Sequence, residues 1–407
     1  MISTLYSSGD QGFKAQISVY QCRRGVGLSF DDDLASADLL VVGAGFFGAT
    51  VAERAANILN KKVVVIDRRD HIAGNAYSYI DSITGIEVHK YGSHIFHTDN
   101  EIVWKYITNF SSFNNYEHRV LSVANSEVYQ LPFNLLTLSQ VLKRNVVPSE
   151  AKEFLLNRTT NKKYANLEDK AIELVGEQIY EKLIKGYTSK QWQADPKELP
   201  SDIITRLPVR VNFDSRYFDD RYQGLPLCGY TELIRRMLDN DRISVHLGID
   251  YFKIKDKVEI PVVYSGPIDE FFEFSRGRLG WRTIDLEFEI HETDNFQGTA
   301  VMNYADLEIP YTRVHEFRFL HPERSYSSST IIAKEYSRSS DIGDEPYYPI
   351  NSDSDRKMLN EYRELCSKER KVIFGGRLGS YKYLDMHMAI ASALQVSNTA
   401  LREILES

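Results

Sequence analysis

The sequence predicts an α/β protein: a discontinuous dinucleotide-binding domain that carries an inserted helical domain and a domain built on antiparallel β-sheet. Three observations lead there. A short apolar run, a glycine-rich turn, a helical stretch and a second apolar run ending in an acid follow one another within residues 39–67; a helix-patterned stretch with few breakers then extends to about residue 200; and after a β-rich middle, a strand, a glycine pair and an apolar helix return near the C-terminus. A chain of 407 residues with 43% hydrophobic content exceeds one compact domain and can bury a large core, so disorder is excluded as the main state. The expected division is an irregular extension over 1–36, a dinucleotide-binding domain from 37–100 plus 340–407, a helical domain over 101–200, and a mainly antiparallel sheet domain over 201–339.

The first 36 residues lack the plan of a secretory signal, because Arg23-Arg24 is followed by a short mixed stretch and then by Asp31-Asp32-Asp33. From Asp38 the pattern changes. Leu39 to Val42 reads as a strand, Gly43-Ala44-Gly45-Phe46-Phe47-Gly48 as a turn, Ala49 to Leu59 as a helix, and Lys62 to Ile66 as a buried strand ending at Asp67. In such a turn the first glycine, Gly43, makes the tight bend, Gly45 lets backbone amides approach a pyrophosphate, and Gly48 permits close helix packing. The helix N-terminus offers unpaired N–H groups to phosphates. Asp67, 19 residues after Gly48, stands where a ribose-binding acid is expected. A Rossmann-like dinucleotide site near the N-terminus follows.

Between Glu101 and Leu199, the segments Ala151–Leu156, Leu167–Val175 and Gln178–Ile184 show apolar spacing of three and four. Arg242–Leu247, Val258–Tyr264 and Ile284–Ile290 read as strands that suit an antiparallel sheet. Lys371 to Phe374 is a strand, Gly375-Gly376 a turn, and Met386 to Ile404 an apolar helix that completes the first domain.

The formal net charge of −8 argues against broad, sequence-independent contact with nucleic acid or anionic membrane, which requires a basic footprint. The cysteines Cys22, Cys228 and Cys366 are too far apart and odd in number for a disulfide scaffold or metal knuckle, which fits a reducing cytoplasm. No apolar run reaches the roughly 20 residues of a membrane span. Tyrosine is abundant, 25 against 20 Phe and 3 Trp, and phenols suit half-wet clefts that hold polar ligands.

Four groups of residues are candidates for chemistry. His89, His94 and His97 lie close together but have Lys90 rather than a carboxylate or cysteine companion, so no metal is expected there. The segment Lys185 to Trp192 reads either as the end of an amphipathic helix or as a platform where Tyr187 or Trp192 stacks a nucleobase. Arg206, Arg210, Arg216, Arg221, Arg282, Arg313 and Arg377 are individually ordinary. Arg210 and Arg313, however, sit in proline-stiffened, apolar segments, where a planar guanidinium suits phosphate oxygens. Tyrosines gather at Tyr347-Tyr348, Tyr381 and Tyr383, and Tyr217 and Tyr222. No nucleophile, base and acid triad of the hydrolase type is apparent, which leaves the reactive atom to a cofactor.

Together the segments VVGAGFFG, HIAGNAY, HKYGSHIFHT, LPFN, KGYTSKQW, KELP, RLPVR, FDSRYFDDRYQG, NFQG, PYTR, EPYYP and VIFGGRLGSYKYLDMH resemble, in order, the bacterial UDP-galactopyranose mutases. The resemblance runs from about Asp38 to the C-terminus. Ala73 and His118 depart from the family pattern, which places a glycine and, in some members, an asparagine there. The resemblance implies a flavin-dependent isomerase, with FAD active when reduced, that interconverts UDP-galactopyranose and UDP-galactofuranose through a sugar adduct at flavin N5 and supplies galactofuranose for cell-surface polysaccharide.

It also implies residue roles. Gly43, Gly45 and Gly48 would bind the FAD pyrophosphate, Asp67 and Arg68 its adenosine half, and Gly74 and Asn75 the region near the flavin. His97 would face the isoalloxazine ring, with Gly376, Arg377, Asp385 and Met386 closing the other side. Tyr187, Thr188 and Trp192 would hold the uridine. Arg206 and Arg313 would flank the diphosphate, with Tyr217, Arg282, Asn303, Tyr348 and Tyr383 completing that end. A homodimer and a reductant for the flavin are implied partners, and a lid is expected near Tyr164–Lys170 or Lys190–Leu199. The competing expectations are a flavin oxidoreductase of the amine-oxidase type, which would consume an electron acceptor, and a non-catalytic nucleotide-sugar or flavin binding module.

Overall fold

The computed structural model describes residues 29–156, 164–204 and 209–406. Two sheets organise the chain. The first has five parallel strands in the order Val372–Phe374, Val262–Tyr264, Leu39–Val42, Val63–Asp67 and Ile243–Leu247. Its centre is buried on both faces, with Leu39, Leu40, Val41, Val65 and Ile66 fully enclosed, as the continuous apolar runs require. The helix Phe46–Asn57 leaves the glycine turn and packs on the C-terminal helix Met386–Asn398, closing one face of the sheet.

The second sheet has seven strands in the order Tyr348–Pro349, Trp281–His291, Thr330–Ser339, Arg313–Glu316, Val301–Tyr304, Val120–Ala124 and Glu127–Leu131. All its pairings are antiparallel except that of Val301–Tyr304 with Val120–Ala124. Beside it stands a helical layer that includes Leu135–Val141, Leu167–Val175 and Lys185–Trp192, with its own core around Phe133, Leu167, Ala171, Tyr180 and Leu183. Asn134 and Asn166 each accept a backbone N–H from the first turn of the helix they start, which sets where the chain turns in. The fold class is that predicted: a Rossmann-type parallel sheet with helical and mainly antiparallel parts.

Four local expectations change. Ile243–Leu247 and Val262–Tyr264, expected in the antiparallel sheet, are an edge and an inner strand of the parallel one. Val120–Ala124 and Glu127–Leu131, expected among helices, join the antiparallel sheet, so boundaries at residues 100 and 200 do not separate the layers. A short apolar run does not reveal its partner, because pairing is decided by long-range packing. Finally, the stretch taken as an irregular extension ends in a helix, Phe30–Ser36, opened by a Ser29–Asp32 capping box. Leu34 of that helix packs with Leu40, Val64 and Ile66, and His246 Nε2 lies 2.9 Å from Asp33. The apolar helix expected from Met386 to Ile404 is two helices, Met386–Asn398 and Ala400–Glu406. Among the described residues, no helix is long and apolar enough to cross a membrane.

Candidate functional site

The glycine turn folds as its spacing requires. Gly43 has φ +104°, a conformation that disfavours a side chain, and a Cβ there would lie 2.1 Å from Ser265 Oγ. A Cβ on Gly48 would stand 1.9 Å from the Gly43 carbonyl oxygen, so the helix can approach the turn this closely only with glycine at that position. Gly45 caps the helix Phe46–Asn57 without a side-chain hydrogen bond, which leaves N–H groups of the first turn open to a ligand. Asp67 accepts N–H groups from Ala44 at 2.9 Å and Arg69 at 3.0 Å, fastening the end of its strand to the turn.

A cavity begins at this turn. Gly43, Gly45, Asp67, Arg68, Gly74, Asn75, Gly376, Arg377 and Met386 all line it, which brings together nine of the eleven residues expected to hold the cofactor. Gly48 acts from behind, through helix packing. Asp385, just before Met386, is the N-cap residue of Met386–Asn398 but makes no capping hydrogen bond. The open helix end and the glycine cradle, in a cavity whose lining includes Tyr251, Tyr264 and Met386, fit a dinucleotide.

The lining also contains groups that sequence reasoning passed over. Arg69 donates to Glu345 at 2.6 Å and to Asn75 at 2.8 Å, while Arg68 pairs with Glu345 and Glu270. Glu345 begins the motif in which only the tyrosines had drawn notice. Ala73, one of the two departures from the family pattern, is buried with φ +73° and ψ 0°, a left-handed conformation that disfavours any side chain.

From Arg377 in the cavity wall, side-chain contacts lead to an arginine and tyrosine cluster that reaches the second sheet. The Arg377 guanidinium lies 5.2 Å from the centre of the Tyr383 ring, and Tyr383 stacks on Tyr348 at 5.6 Å. Tyr348 is the sheet partner of Arg282, and Asn303 that of Arg313. Arg313 donates to the Tyr187 hydroxyl, and its Nε lies 3.3 Å from Glu335 Oε1. Glu335 in turn faces His315 Nε2 at 3.1 Å, and His315 Nδ1 reaches Ser93 Oγ at 2.9 Å. Burial opposes ionisation of Glu335, yet Arg313 and His315 outweigh it and hold the carboxyl down at about 2. Arg313 is thus a partly buried cation with a buried anionic partner.

Arg282 is different. Its side chain is among the largest fully buried ones, 1% exposed, and it donates to Gln193 Oε1 (3.2 Å), Ser339 Oγ (2.9 Å) and Ser337 Oγ (3.2 Å) while its Nε has no partner. Among the described residues no carboxylate forms an ion pair with it, and burial lowers its pKa to about 10. An enclosed guanidinium balanced only by neutral groups is costly unless an anion arrives. Asn303 Oδ1 is likewise enclosed without a partner.

Tyr187 and Thr188 sit on Lys185–Trp192, with Thr188 buried and Trp192 packed partly against the helical core. Tyr217 is exposed and precedes Phe218, which stacks on His97 at 3.7 Å, with His118 5.8 Å away on the same ring. His97 is therefore covered by Phe218, with Nδ1 2.8 Å from Asp220, and does not line the cavity. Burial takes the pKa of His118 down to about 3, so it is a neutral ring that meets the Tyr116 hydroxyl at 3.1 Å. His94 Nδ1 donates to the Gly92 carbonyl, and His89 Nδ1 accepts the His94 N–H, so these two serve the local fold. His97, Asp385 and His387 each offer one ligand atom, and these atoms lie within 4.8 Å of one another. Arg206 lies outside the described residues.

Two family models match the chain: that of UDP-galactopyranose mutase over residues 182–383 and that of the NAD(P)-binding Rossmann-like domain over residues 41–110. A probable UDP-galactopyranose mutase of Klebsiella pneumoniae is 40% identical over 369 residues, covering 90% of this chain and 95% of the relative. A dTDP-fucopyranose mutase of Escherichia coli is 38% identical, covering 89% of this chain and 98% of the relative. Among solved structures, that of a reduced UDP-galactopyranose mutase superposes with a TM-score of 0.69 at 14% identity, over 90% of this chain and 94% of its own.

Proposed function

The chain belongs to the UDP-galactopyranose mutase family, a family of isomerases, and on that premise we propose that it interconverts UDP-galactopyranose and UDP-galactofuranose with FAD as its cofactor. The observation that carries the reading is Arg282: an enclosed cation with no carboxylate partner among the described residues, on the same sheet as Arg313, is matched by a diphosphate. Bound FAD, when reduced, supplies through N5 the nucleophilic centre that ring contraction needs.

The protein's own residues do the rest. Gly43, Gly45 and the N-terminus of Phe46–Asn57 hold the cofactor pyrophosphate, with Asp67 and Arg68 at the adenosine half. Gly74, Asn75, Gly376, Arg377 and Met386 enclose its reactive end, and His97 and Asp385 support that end from behind the wall. Tyr187, Thr188 and Trp192 hold the nucleoside, and Arg282 and Arg313 bind the diphosphate, joined by Arg206. These arginines stabilise charge that builds on the departing diphosphate, a role worth most where water is excluded. Tyr217, Tyr348, Tyr383 and Asn303 present hydroxyl and amide groups toward the sugar. As in the family resemblance, the enzyme would work as a cytoplasmic homodimer, kept reduced by a partner, and supply galactofuranose to a cell-surface polysaccharide.

A second reading takes the same chemistry on a deoxythymidine-linked 6-deoxyhexose, supported by the 38% identity to a dTDP-fucopyranose mutase. Incubating the purified protein with UDP-galactofuranose and, separately, dTDP-fucopyranose, with and without dithionite, and separating the products by chromatography distinguishes the two. Conversion of the uridine substrate only after reduction is expected. Conversion of the deoxythymidine substrate alone favours the second reading, and net consumption of an electron acceptor with neither converted sinks both.

A further inference from the structure

The helix Lys185–Trp192 does more than present Tyr187 and Thr188. Lys190 extends its ammonium into the loop between Val301–Tyr304 and Arg313–Glu316, where Nζ donates to the carbonyl oxygens of Tyr304 (2.8 Å), Asp306 (2.8 Å), Ile309 (2.9 Å) and Tyr311 (3.0 Å). An ammonium has three protons, so four converging carbonyls hold it as a charge in a dipole cage as much as by discrete bonds. The carboxylate of Asp306 is engaged elsewhere, accepting the Asn125 N–H. The loop ends at Thr312, and the next residue is Arg313.

Two further contacts make this helix a strut between the arginines. A Cβ on Gly186 would lie 2.1 Å from the Ala305 carbonyl oxygen, so the helix rests directly on the loop. At the other end Gln193, with φ +51°, turns its Oε1 to accept from both Arg282 and the Ser339 N–H at 3.1 Å. We propose that Lys190 is a positioning residue: by clamping the 304–311 loop to the helix that bears Tyr187, it fixes Arg313, and so the diphosphate seat, relative to the nucleoside seat. It makes no contact with ligand itself. This inference rests on the nucleotide-sugar reading above.

The test is a double-mutant cycle on UDP affinity, measured by calorimetry on the full-length, flavin-loaded protein. Lys190→Met, which keeps the stem but removes the charge, is expected to weaken UDP at least about fivefold in the unaltered background and less than about twofold when Arg313→Lys is already present. Flavin absorbance is unchanged in both. Lys190→Gln, which retains amide donors, gives an intermediate loss and stands in for the cycle if the Met variant does not fold. UDP binding that Lys190 variants leave unaltered, or weaken by the same factor in both backgrounds, overturns the proposal alone. Absence of UDP binding in the unaltered protein overturns the nucleotide-sugar reading and this proposal together.

Discussion

Replacing Arg282 by methionine separates a ligand-binding arginine from a structural one. Its pKa, brought down to about 10 by burial alone, corresponds to a few kcal/mol of unfavourable desolvation, at roughly 1.4 kcal/mol per pH unit. Methionine removes that cost but strips partners from Gln193, Ser337 and Ser339, each worth about 1 kcal/mol. The two nearly cancel, so the ligand-free variant should melt within about 2 °C of the parent. The ligand-bound protein behaves otherwise. With UDP at a hundred times its Kd the parent gains about 2.7 kcal/mol, or roughly 3 °C for a chain this long. Losing an arginine to phosphate contact weakens binding by about 30-fold or more, which leaves under about 1 kcal/mol and a shift of about 1 °C. Differential scanning calorimetry with and without UDP reads both numbers. A variant that melts several degrees lower without ligand, yet keeps the full UDP shift, would refute the assignment of Arg282 to an anion.

Other outcomes follow from features already described. Ala73→Gly removes a methyl group from a left-handed backbone and should stabilise the protein by up to about 1 kcal/mol, measured as a rise in urea midpoint at constant slope. Gly48→Ala drives a Cβ into the Gly43 carbonyl, and the purified variant should carry little flavin by absorbance; full flavin content would show the turn to be more compliant than its geometry. Burial holds His89, His94 and His118 neutral, with pKa values of about 3, 4 and 3, so below the ordinary histidine value of about 6.5 the unfolded chain binds protons that the folded one refuses. Their contribution is fully present above pH 6.5 and is lost as pH falls toward 4, so the melting temperature should decline steadily over that window; a flat profile from pH 7 to 5 contradicts it.

How much of this could be read in the sequence depends on how locally each signal is written. The glycine turn needs only six consecutive residues and a helix, and it folds as its spacing says. The KGYTSKQW segment, open between helix end and stacking platform, is a helix whose Tyr187 reaches Arg313. By contrast, Arg282 looks in sequence like any arginine in a polar strand, and its burial comes from Ser337 and Ser339 across the sheet and from Gln193 on a distant helix. The stack of His97, Phe218 and His118 joins three segments far apart in the chain, which moved His97 off the cavity wall. The helix Phe30–Ser36 was legible, since Ser29 followed three residues later by Asp32 is a capping pattern, but with a single buried leucine, Leu34, it carries almost no apolar periodicity.

The order of strands in the parallel sheet bears on how the chain is made. The central pair, Leu39–Val42 and Val63–Asp67, is synthesised first, and its flanking strands at Ile243 and Val262 follow some 175 residues later. At about 5–20 residues per second that is roughly 10–35 seconds during which two highly apolar strands have both outer edges unpaired. The sheet is complete only once Val372–Phe374, synthesised later still, has joined Val262–Tyr264. Nascent chains of this protein therefore expose their stickiest surface throughout that interval, and the yield of folded enzyme should depend on chaperone supply and elongation rate more than on the stability of the finished molecule.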